Sequence, residues 1–64
     1  MKDHQQRKLI TDIELAEIIR RSVQSIRNDR HKGRGLPYIK IGRSIRYNLA
    51  DVERYLDSHR VSPE

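Results

Sequence analysis

Apolar residues recur at helical spacing in three stretches and at alternating spacing in one. Ile13, Leu15, Ala16, Ile18 and Ile19 form a wide stripe that predicts a first helix over about 12–20, facing a core. Thr11 and Glu14 stand three apart at its start, the spacing of a capping box. Ser22 is placed as a second N-cap, for a helix running to about Lys32 with Val23 and Ile26 inward. Two helices joined by so short a turn make a helix-turn-helix unit. Gly33 and Gly35 follow and end the second helix, since glycine tolerates left-handed backbone angles. From Leu36 to Ile41 the chain alternates, which predicts a strand. Gly42, Arg43 and Ser44 form a tight turn, and Ile45-Arg46-Tyr47 returns with Ile45 and Tyr47 on one face. A two-stranded hairpin is marginal alone and must lean on the helices. Asn48 caps a third helix over about 49–58, carrying Leu49, Val52, Tyr55 and Leu56.

The predicted fold is therefore mainly α with a small β-hairpin, in the order helix, helix, hairpin, helix. This is a winged helix-turn-helix spanning residues 9–58. Residues 1–8 are expected to be a flexible arm and residues 59–64 a flexible tail.

At 64 residues there is room for one domain with a small core. Charged residues make up 36% against 34% hydrophobic, and the net charge is +5, so the balance tilts toward an anionic partner. That charge is concentrated. Residues 20–46 carry +8 and the remainder −3. Such asymmetry favours a polyanion facing one part of the domain. A membrane-surface role needs a broad apolar face beside the basic residues, and Val23 and Ile26 do not supply one. No run of apolar residues is long enough to span a bilayer. The absence of cysteine removes disulfides, thiolate metal sites and thiol nucleophiles, and accords with a reducing cytoplasm. His4, His31 and His59 are scattered, so no metal site is expected. Asp12, Glu14 and Glu17 suit the positive end of the first helix and need no catalytic explanation. Nothing in the chain suggests an enzyme or a cofactor site.

The stretch from Leu9 to Leu56 resembles the MerR-like winged-helix domains of the excisionase and AlpA type, small proteins of phages and other mobile elements. The resemblance rests on Leu9-Ile10-Thr11 with Glu14 and Ala16, on Ser22, and above all on the run from Gly33 to Tyr47. Within that run Pro37 to Arg43, followed by Ile45-Arg46-Tyr47, is its most specific part. Leu49-Ala50-Asp51-Val52 with Tyr55-Leu56 completes it. The chain departs from the family pattern twice. The first turn reads Ile19-Arg20-Arg21-Ser22, where the family has Leu-Gly-Val-Ser, and Val23 is placed to take over packing. Asp29 stands where the family often carries an aromatic or leucine, beside arginines it can pair with.

The resemblance implies sequence-specific binding of double-stranded DNA, with the second helix in the major groove and the wing in an adjacent minor groove. Arg pairs bidentately with guanine, and Asn or Gln with adenine, each worth about 1–3 kcal/mol of discrimination. Gln24, Arg27 and Asn28 are the leading base-reading candidates, with Ser25 and His31 as additions. Ser22 is a cap that also presents a helix N-terminus to phosphate. Arg21, with Arg20, is placed to clamp the backbone near the turn. Arg43 at the wing tip, beside Ser44 and supported by Lys40 and Arg46, is placed to reach a minor groove or phosphate.

The family role expected is that of a recombination directionality factor, which binds repeated sites cooperatively and bends DNA for excision. Its partners would then be duplex DNA, further copies of itself on DNA, and a tyrosine integrase or recombinase. A small transcriptional regulator of a phage or mobile element would use the same residues. A protein adaptor or an RNA-binding module stands as the rival from another class. The expected location is the cytoplasm, at bacterial or phage DNA.

Overall fold

The structure, a computed structural model, describes residues 8–63. Most of the arm expected over residues 1–8 lies outside them, as does Glu64. The elements run β1 (Leu9–Ile10), α1 (Asp12–Ile19), α2 (Val23–His31), β2 (Ile39–Ile41), β3 (Ser44–Asn48) and α3 (Leu49–Ser58). Three helices and a small antiparallel hairpin make a winged helix-turn-helix.

Each helix starts where a short polar side chain satisfies a free backbone N–H. Thr11 Oγ1 accepts from the Glu14 N–H at 3.1 Å, while Glu14 Oε1 accepts from the Thr11 N–H at 2.8 Å. The capping box is thus complete. Ser22 Oγ accepts from the Ser25 N–H at 3.1 Å, and Asn48 Oδ1 from the Ala50 N–H at 3.0 Å.

The sheet differs from the expected two-stranded hairpin. Leu9 and Ile10 add a third strand, in the order β1-β3-β2, with Leu9 opposite Asn48 and Ile10 opposite Tyr47. The Lys8 carbonyl continues the ladder by accepting from the Leu49 N–H at 2.8 Å. Two residues are too few for alternation to reveal a strand. β2 is also shorter than the alternating run, because the segment from Leu36 to Tyr38 leads into the hairpin without pairing. The loop itself is two residues, Gly42 and Arg43, with Ser44 already paired to Ile41. Gly42 has φ 62°, the left-handed geometry that such hairpin loops reserve for glycine.

Ile10, Leu15, Ala16, Ile26, Tyr47 and Val52 form the buried core, with Ile19, Val23, Leu36, Ile45 and Leu49 packed around it. The apolar stripe of α1 is narrower than its sequence suggests. Leu15 is fully buried, whereas Ile13 is 56% and Ile18 46% exposed. A single layer of neighbours covers only one side of α1, and these two residues flank that side. Leu56 on α3 is likewise exposed.

The turn between α1 and α2 keeps its tight geometry without glycine. Arg20 closes α1 with φ 60° and ψ 44°, and the Arg21 N–H donates to the Ala16 carbonyl at 3.1 Å. A left-handed non-glycine residue costs about 1–2 kcal/mol. Val23 is half-buried and packs against the core. Arg20→Gly is accordingly expected to stabilise the domain by about 0.5–1 kcal/mol, after allowance for the freer unfolded chain. Thermal melting checks this: a rise of roughly 3–6 °C is expected for a domain of this size. An unchanged or lower midpoint would mean that Arg20 makes a compensating contact.

Candidate nucleic-acid interface

α2 carries its inward residue Ile26 on one side and a polar row on the other. Gln24, Asn28 and His31 are all exposed and lie four and three residues apart, so they line one helix face. Gln24 Nε2 donates to Asn28 Oδ1 at 3.2 Å, which leaves the Asn28 amide nitrogen directed elsewhere. Ser25 is half-buried at the edge of this row. Its hydroxyl accepts from Arg21, which also lies 3.4 Å from Asp29 Oδ2. Arg21 is thus tied back along α2.

Asp29 pairs with the neighbouring arginines. It faces two arginines, Arg21 and, at 3.7 Å, Arg34. Its carbonyl accepts from the Arg34 N–H at 2.9 Å, which fixes the chain leaving α2. A Cβ on Gly35 would stand 3.2 Å from the Asp29 Cβ, and Gly35 has φ 96°. Backbone angle and close approach both call for glycine there.

Arg27 is engaged more firmly than a free base-reading side chain would be. Its Nε donates to Asp12 Oδ2 at 2.8 Å and its Nη2 to Asp12 Oδ1 at 3.4 Å. Arg30 Nη1 lies 3.7 Å from the same carboxylate and donates to the Tyr47 hydroxyl at 3.1 Å. The Arg30 guanidinium also sits over the Tyr38 ring, 5.8 Å from its centre. The hydrogen bond from Arg27 holds the Asp12 carboxyl below the usual carboxylate range, despite partial burial that acts the other way. The same contact holds Arg27 more firmly in its charged form.

Asp12 and Arg30 were not among the residues that the sequence marked for the site. Asp12 reads as a helix-start acid, and its partners stand 15 and 18 positions away, a distance that no local pattern spans. Only the packing of α1 across α2 brings them together.

The wing faces the end of α2. Arg30, His31, Tyr38, Lys40, Gly42, Arg43 and Ile45 line an open groove between them. His31 of α2 and Lys40 and Arg43 of the wing thus share one surface. Lys40, Arg43 and Ser44 are exposed, and the two cations form no ion pair among the described residues. Arg46 points differently: it is half-buried, and its Nη1 donates to the Ile45 carbonyl at 2.8 Å. Ser22 stays at the start of α2, its hydroxyl occupied by the cap.

Among the described residues, no three His, Asp or Glu side chains gather as a metal would require. No helix there is long and apolar enough to cross a membrane.

No curated protein and no solved structure matches this chain. A family model for the helix-turn-helix domain matches residues 9–60, from β1 through α3 to just past its end. The match covers the two-helix unit, the wing and the core behind them, so the chain belongs to the helix-turn-helix domain family, whose members are small domains that bind double-stranded DNA.

Proposed function

We propose that the protein binds duplex DNA in a sequence-specific way, with α2 in the major groove and the wing in the neighbouring minor groove. The observation that carries this reading is the shared surface of His31, Lys40 and Arg43, where the polar row of α2 runs into a cationic hairpin. Gln24, Asn28 and His31 supply base-edge donors and acceptors, with Arg27 and Ser25 beside them. Lys40, Arg43 and Ser44 reach phosphate or the minor-groove floor. Arg21, Ser22 and Arg46 would meet the DNA backbone, each from a side chain that also has a partner within the domain.

The length of α2 supports a finer role. An α2 of nine residues is about 13 Å long, which covers roughly four base pairs. So short a site recurs by chance far too often to be found alone among genomic competitors. Repeated sites filled by several copies overcome this. We therefore favour an excisionase-like architectural factor of the MerR-like and AlpA type, loading cooperatively and bending DNA for excision beside a tyrosine recombinase. Transcriptional regulation of a mobile element would use the same contacts.

Footprinting on a duplex chosen by selection separates the two. Protection of tandem repeats, with binding steeper than one site allows and altered mobility of bent DNA, is expected for the architectural role. One isolated protected site without bending would move the reading to a regulator.

A further inference from the structure

The Asp12–Arg27 pair has a geometry that leaves half of a guanidinium fork open. Arg27 uses the edge formed by Nε and Nη2 on the carboxylate. Its Nη1, and the remaining N–H of Nη2, have no partner among the described residues. Those two groups form the other edge of the fork, which likewise presents two parallel donors to two acceptors side by side. The Arg27 side chain is 42% exposed, on the flank of the row formed by Gln24, Asn28 and His31, whereas Asp12 is only 15% exposed. Asp12 is itself fixed, standing one residue after the Thr11 cap in α1 and close to Arg30. The carboxylate is therefore a rigid buttress from a neighbouring helix. Lysine, or an arginine free to rotate, would meet phosphates and bases alike.

Resting on the DNA-binding reading above, we infer that Asp12 is a positioning residue for sequence recognition. It orients Arg27 so that the free edge of its fork reads O6 and N7 of a guanine, and it keeps Arg27 from serving as a general phosphate contact. Asp12 touches no base. It acts on specificity through Arg27 alone.

The test compares base preferences of purified full-length variants on the selected duplex and on single-base substitutions of it. The wild-type chain is expected to prefer guanine at one position. Asp12→Asn should lower that preference by about tenfold, within the span of one bidentate contact. The freed Arg27 should tighten binding to unrelated DNA and steepen its salt dependence by about one phosphate contact. Asp12→Glu keeps the charge at the helix start but moves the carboxylate, and it should also blunt the preference. It serves if Asp12→Asn fails to fold. Arg27→Lys should remove the guanine preference, and Asp12→Asn added to it should change the preference no further. A merely structural Asp12 would lower melting temperature and leave the base preference intact, which would overturn the inference. So would a guanine preference that survives Arg27→Lys. A wild-type chain with no sequence preference at all would instead overturn the DNA-reading proposal itself.

Discussion

Tyr47→Ala is expected to leave the domain largely unfolded at 37 °C. Tyr47 is 2% exposed, in the middle strand, opposite Ile10 and against the rest of the core. Removing a buried aromatic ring costs about 3–5 kcal/mol in transfer and cavity terms. A domain of 64 residues has a total stability of only about 3–10 kcal/mol. The loss is larger here because β3 holds both other strands, so slack at Tyr47 loosens the pairing of Leu9 and Ile10 as well. Tyr47→Phe separates the ring from its hydroxyl. Arg30 loses one hydrogen bond but keeps Asp12 and the Tyr38 ring, so the cost should be about 1 kcal/mol. Circular dichroism with thermal melting checks both. A cooperative melt near the wild-type midpoint for Tyr47→Ala would mean that the helices hold the core without the sheet.

The second large effect is expected at the wing. Lys40→Glu combined with Arg43→Glu should weaken DNA binding by about 100-fold at 0.1 M salt. Each phosphate contact releases about 0.9 of a counterion, worth roughly tenfold in affinity at that ionic strength. The salt dependence should become shallower by about two contacts. Both residues are exposed and form no ion pair among the described residues, so the fold should survive the change. Repulsion from the new carboxylates adds to the loss. Binding titrations at several salt concentrations measure both quantities. An unchanged affinity would remove the wing from the interface.

Much of the architecture is written locally. Thr11, Ser22 and Asn48 each mark a helix start by a side chain that satisfies a nearby N–H, and a cap needs only neighbours in sequence. The hairpin follows from alternation and from Gly42. What was hidden depends on distant partners. β1 exists because β3 offers it an edge, and two residues carry no period of their own. Ile13 and Ile18 look like core residues until the number of neighbours around α1 is known. The same division runs through the candidate site. The exposed row of α2 follows from helical spacing. The pairing of Arg27 with Asp12 does not, and it changes Arg27 from a free side chain to a held one. Arg20 is a milder case, since its turn was legible and only its left-handed backbone was not.

In the proposed complex the exposed face of α2 reads bases while the wing supplies affinity. Parallel selections from a random duplex pool test it most directly, using the wild-type chain, a Gln24→Ala/Asn28→Ala variant and the wing double variant. One short enriched sequence is expected for the wild-type chain. The wing variant should enrich the same sequence with weaker binding, and the α2 variant should lose it. No enrichment by the wild-type chain, or the same sequence recovered by the α2 variant, would contradict base reading by α2.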